Sequence, residues 1–157
     1  MLRPLAIASI LLAVVLAAGC GGSGATKEDF RRDAVAARDK TDAGLAQIVL
    51  ASSVEDLLAR MRIAAVEVRS ASTDVREADA PNDLADERDA LATSLLALSD
   101  EIVGTVETLQ SFPEQAAKTS ALNFEQWTAV QKQLAALRKQ GVDVPPLEPH
   151  KPEPQRQ

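Results

Sequence analysis

The stretch VEDLLARMRIAAVEVRSASTDVREA, residues 54–78, carries the clearest structural signal in the chain. Val54, Leu57, Met61, Ala64, Val68, Ala71, Val75 and Ala78 follow one another at alternating steps of three and four. That spacing puts all eight on one face of an α-helix and leaves the charged residues on the other. Ser53, with Asp56 three residues on, resembles a capping box in which Asp replaces Glu. Ser52 and Ser53 are the whole of the link to the preceding segment, so the first two segments form either a hairpin or one bent helix.

Working outward, a helix is expected from about Lys27 to Ala51. Phe30, Ala34, Ala37, Thr41, Leu45 and Ile48 share one face, Thr26 is the N-cap, and Glu28 and Asp29 suit the positive end of the helix dipole. A third helix is expected to open at Pro81, a favoured first helical position, behind Asp79 as cap. It runs to about Gln110 with Leu84, Leu91, Leu95, Leu98, Ile102, Thr105 and Leu109 as its stripe, interrupted by Arg88. A fourth is expected from about Glu114 to Gln140, with a break near Asn123. Phe124, Trp127, Val130, Leu134 and Leu137 form its apolar face, and Gly141 stops it. Residues 142–157 contain Pro145, Pro146, Pro149, Pro152 and Pro154 and read as an extended, disordered tail. The fold expected of residues 27–141 is therefore all-α. It is an antiparallel bundle of four helices, or of three if one is long and bent.

The first nineteen residues are of another kind. Arg3 is followed by an apolar run from Leu5 to Ala18, and then by Gly19 and the only cysteine, Cys20. A positive start, an apolar stretch and small residues at the cut are the layout of a secretory signal peptide. The apolar run is shorter than the ~20 residues a membrane span needs. With Cys20 directly after the cut, residues 1–20 resemble a bacterial lipoprotein signal. The departure is Ala17, where that class most often has Leu. The resemblance implies cleavage between Gly19 and Cys20 and a diacylglyceryl group on Cys20, which anchors the protein to the cell membrane on its extracytoplasmic face. Without lipidation, the same residues describe an ordinary secreted protein with a free thiol. Residues 20–26 (Cys-Gly-Gly-Ser-Gly-Ala-Thr) form a flexible tether.

Removal of residues 1–19 leaves 138 residues (157 less 19), one domain's worth. Sixteen basic residues then face 23 acidic ones, a formal charge of −7, since Arg3 leaves with the signal. An acidic surface argues against nucleic acid as a partner. Alanine-rich helices, a Gly/Ser tether and a helix opened by Pro after an acidic turn (Asp79-Ala80-Pro81) are similar to those of small helical lipoproteins of actinobacteria. That resemblance implies no activity.

Catalytic chemistry finds little to work with. The only histidine, His150, lies in the Pro-rich tail, where nothing is expected to hold it. That leaves no Ser/His/Asp set within the bundle, and no His/Cys zinc site. Asp74, Glu77, Asp79, Asp83, Asp86, Glu87 and Asp89 cluster around one turn, but without the spacing of a calcium loop, and they read as helix-start and solvated residues. No metal and no cofactor are expected besides the lipid on Cys20. Two functional readings follow. In the first, the domain is non-catalytic and offers a surface to an envelope protein partner, with Ile63 and Val66 off the main stripe as its exposed edge. In the alternative, Phe124, Trp127 and Arg88 line an apolar cleft for a small ligand.

Overall fold

Thr26 begins the first helix as its spacing predicts. Its hydroxyl accepts the Asp29 N–H at 3.1 Å and donates to the Asp29 carboxylate at 2.6 Å. The computed structural model describes residues 24–115 and 124–150, and in them four helices follow in order: α1 (Lys27–Ile48), α2 (Val54–Glu77), α3 (Ala85–Ser111) and α4 (Glu125–Lys139). No helix among the described residues is long and apolar enough to cross a membrane.

α1 and α2 are a hairpin and not one bent helix: they pack side by side across a link of residues 49–53. The Ser53 hydroxyl accepts the Asp56 N–H at 3.1 Å. The Asp56 carboxylate reaches one residue further back than in a capping box, to the Ser52 N–H at 2.9 Å and the Ser52 hydroxyl at 3.2 Å. At Gly44 the helices lie so close that a β-carbon there would stand 3.4 Å from the Ala64 Cα and the Glu67 Cβ.

The α2–α3 contact is the most extensive in the molecule. Ala65 and Ala92 are buried at this seam and let the backbones approach. Two buried serines then bond across the seam. Ser99 Oγ donates to the Ala65 carbonyl at 2.8 Å, and Ser72 Oγ donates to the Ala92 carbonyl at 2.6 Å. The two bonds are seven residues apart on each helix, so each recurs after two turns.

α3 begins later than its sequence suggests. Pro81 precedes a single 3₁₀ turn, Asn82–Leu84, and the α-helix starts at Ala85 without a side-chain cap. Asp79 is not the cap. α4 is shorter than expected, fifteen residues from Glu125. Pro113–Gln115 is a separate 3₁₀ turn, and the break expected near Asn123 lies outside the described residues. The start of α4 is capped from α3: the Glu101 carboxylate accepts the N–H groups of Glu125 at 2.7 Å and Gln126 at 2.9 Å. α4 ends at Gly141, whose φ of 84° is the left-handed value a Schellman turn needs. Gly141 N–H bonds the Arg138 carbonyl and Val142 N–H bonds the Leu137 carbonyl, each at 3.0 Å.

The largest departure from expectation follows. Residues 142–150 have no regular structure, yet they are not a disordered tail: Val142, Val144 and Leu147 are fully buried. The segment runs between α1 and α4 and closes the bundle. Its backbone groups, which no helix or sheet satisfies, are met by side chains on both sides. Gln131 on α4 acts as a clamp, its amide donating to the Leu147 carbonyl at 2.7 Å and accepting the Leu147 N–H at 3.1 Å. Arg38 on α1 donates to the Pro146 carbonyl through Nε (2.9 Å) and Nη2 (2.6 Å). Residues 151–157, with Pro152 and Pro154, lie outside the described residues.

Candidate functional site

Two places among the described residues combine exposed or unspent chemistry with a defined geometry. The first is a groove of about 380 Å³ along the outer face of α2 and α3. Its floor is Ala65, Val66, Ser99, Val103 and Val106, and its rim is Arg62 and Arg69 on α2 and Glu107 and Gln110 on α3. Val66 is 66% exposed, and Val103 is 40% exposed. Ile63 on the next part of the α2 face is also exposed. Arg69 is ion-paired with Asp100 across the seam.

All six large apolar side chains that are exposed among the described residues are Leu50, Val54, Ile63, Val66, Val103 and Phe112. They lie from the middle of the bundle to the end where α1 stops, α2 starts and α3 stops. α1, with 22 residues, spans about 33 Å, so this end is far from Lys27 and from the tether that precedes it.

The second place is where residues 142–150 meet α1. Asp42 Oδ1 accepts the Glu148 N–H at 3.1 Å and lies 3.5 Å from His150 Nε2, while Oδ2 lies 2.9 Å from Arg38 Nη2 without the alignment of a hydrogen bond. Arg38 also pairs with Asp39 at 2.7 Å. Burial of Asp42 holds its carboxyl above the usual aspartate range, against the opposing pull of the Glu148 N–H, Arg38 and His150. His150 is thus held against a carboxylate, contrary to the expectation that nothing would fix it. Among the described residues no hydroxyl is bonded to it, so the pair lacks a nucleophile to activate.

The residues singled out in the sequence fall apart in space. Phe124 and Trp127 sit at the start of α4, Phe124 nearly buried and Trp127 half-buried against the core. Arg88 is at the other end of the bundle. Glu101 bonds the start of α4, and Glu87, beside Arg88, accepts from Gln140 past its end at 3.3 Å. The thirteen residues from Arg88 to Glu101 span about 20 Å of helix. The cleft expected of Phe124, Trp127 and Arg88 is therefore not assembled, and Arg88 pairs with Asp89 at 2.9 Å. The acidic cluster is dispersed in the same way, Asp74 onto Lys40 and Asp83 onto Lys27. No group of three metal-ligating side chains occurs among the described residues. Gly19 and Cys20 lie outside them.

The groove was half visible in the sequence. Ile63 and Val66 break the stripe of α2 and mark an exposed apolar edge. The rim was missed, although Arg62 and Arg69, like Asp100 and Glu107, stand seven residues apart and so line up along their helices. Comparison with protein-family models, with curated proteins and with solved structures finds no match.

Proposed function

We propose that this chain is a lipoprotein of the bacterial cell envelope, held on the extracytoplasmic face of the membrane by an acylated Cys20. Its helical domain is a non-catalytic docking module that engages protein through the outer face of α2 and α3. The observation that carries the reading is the placement of Val66 and Val103, exposed together along a groove that the other described residues leave open, with Ile63 exposed nearby on α2. Contiguous exposed apolar surface of this kind marks interaction sites. Its position suits the anchor, since the Lys27 end lies seven residues from Cys20 and the exposed residues lie from mid-bundle to the opposite end.

Two measurements in intact cells test it. Cys20→Ala is expected to move the protein from the membrane to the soluble fraction. A photo-crosslinking residue at position 66 is expected to give one recurring protein product, and the same residue at position 32, exposed on α1, is expected to give none. Membrane retention of the Cys20→Ala protein would overturn the anchor. The same scatter of products from both positions would overturn the docking face.

A further inference from the structure

We infer that the occupant of the α2/α3 groove is a second copy of this chain, seated across a two-fold axis that runs along the groove. The inference rests on the reading of this face as a docking surface and names its partner.

The argument is from charge and register. The basic groups of the rim, Arg62 and Arg69, are on α2; the acidic groups are on α3, Glu107 on the rim and Asp100 beside it as the partner of Arg69. Within the chain α2 and α3 are antiparallel, and although the Ser99–Ala65 and Ser72–Ala92 bonds set the backbones of Arg69 and Asp100 at different heights, their side chains lean along the seam and meet. Arg62 lies seven residues before Arg69 and Glu107 seven after Asp100, so Arg62 and Glu107 repeat the same relation two turns along, and both line the groove. A two-fold axis parallel to the helices carries α2 of one copy over α3 of the other without changing height. It therefore brings Arg62 within reach of the second copy's Glu107, as Arg69 is within reach of Asp100 in one chain, with Val66 and Val103 of both copies in the seam between, each contact occurring twice. The surface is self-complementary in the sense an isologous dimer requires. Oppositely charged rows flanking an apolar seam are what sets partner and orientation between packed helices.

The rim fits a second copy better than a partner of one sign of charge, because a uniformly acidic or basic surface would meet repulsion along one of the two helices. Arg62 and Glu107 are both exposed, and neither has an ion-pair partner among the described residues.

The test is native mass spectrometry of the full chain, extracted from its membrane in mild detergent. The wild type is expected to appear as a dimer. Arg62→Glu alone and Glu107→Arg alone each set like charges against one another twice per dimer. Each is expected to weaken dimerisation about tenfold or more. An equal mixture of the two variants is expected to regain wild-type dimerisation, entirely as the mixed species, because Glu at position 62 then faces Arg at position 107. Equal helical content by far-ultraviolet circular dichroism in the three proteins shows that the substitutions leave the fold intact. A monomeric wild type, or a dimer that neither substitution weakens, would overturn the proposal. A monomer whose position 66 still crosslinks in cells to one protein of different mass would overturn the second copy and leave the docking face standing. A monomer with no recurring crosslink would overturn both.

Discussion

Asp56 and Asp42 are carboxylates of the same kind moved in opposite directions by their surroundings. Asp56 is half-buried, and the Ser52 N–H and the Arg60 guanidinium hold its carboxyl below the usual range. The folded chain then binds its proton less readily than the unfolded chain does. Asp56 stabilises the fold in full above the ordinary aspartate range, and that contribution is lost as the pH falls through its lowered value. Asp42 has its carboxyl raised by burial, so its charged form opposes folding. That cost is complete at neutral pH, shrinks as the pH falls through the raised value, and is gone below the ordinary one. Urea denaturation of two variants at neutral and at acid pH checks both signs. Asp56→Asn is expected to be less stable than wild type at neutral pH and equal to it in acid. Asp42→Asn keeps an oxygen for the Glu148 N–H and is expected to be more stable at neutral pH and equal in acid. A neutral-pH loss for Asp42→Asn would mean that Arg38 and His150 outweigh burial.

At the scale of elements, residues 142–148 behave as a fifth packed element without regular hydrogen bonding. Leu147→Ala is expected to cost about 2–5 kcal/mol in equilibrium denaturation, as a core leucine does, where a disordered tail would register nothing. The regular elements were legible because their signal is local. The Phe30-to-Ile48 stripe of α1 and the Met61-to-Ala78 stripe of α2 are buried as their spacing predicts, and Thr26, Ser53 and Gly141 punctuate the helices as read. Val54 failed: at the first position of α2 it is 40% exposed, because the stripe there runs off the end of its neighbour. The tail was misread because its prolines exclude a helix but do not exclude burial. Its evidence was the pattern Val142, Val144 and Leu147, and its partners Arg38 and Gln131 are remote in sequence. The cap on α4 was hidden for the same reason, since Glu101 is twenty-four residues from Glu125. The candidate cleft failed because sequence spacing places residues on a face of a helix but does not tell which end of a neighbour they meet.

For the molecule as a whole, packing is graded. α2 lies against both α1 and α3, whereas α4 is held by α3 and by the segment that follows it. Stability is then expected to be uneven, with α4 and residues 142–148 opening as one unit before the α2–α3 seam does. Native-state hydrogen exchange checks this: the amides of α2 and α3 should exchange slowest, and those of α4 together with Leu147 should share a faster common rate. A single rate across all four helices would show the bundle opening only as a whole.

The clasp of residues 142–148 between α1 and α4 also fixes an order of events in the life of the chain. A ribosome makes α1 well before this segment, and the bond from the Lys27 ammonium to the Gln140 carbonyl joins positions 113 residues apart. One side of α1 stays uncovered until residues 142–148 have been added. The bundle thus cannot close before residues 142–148 are made, and the timing of its closure is written into a segment that synthesis reaches only after all four helices.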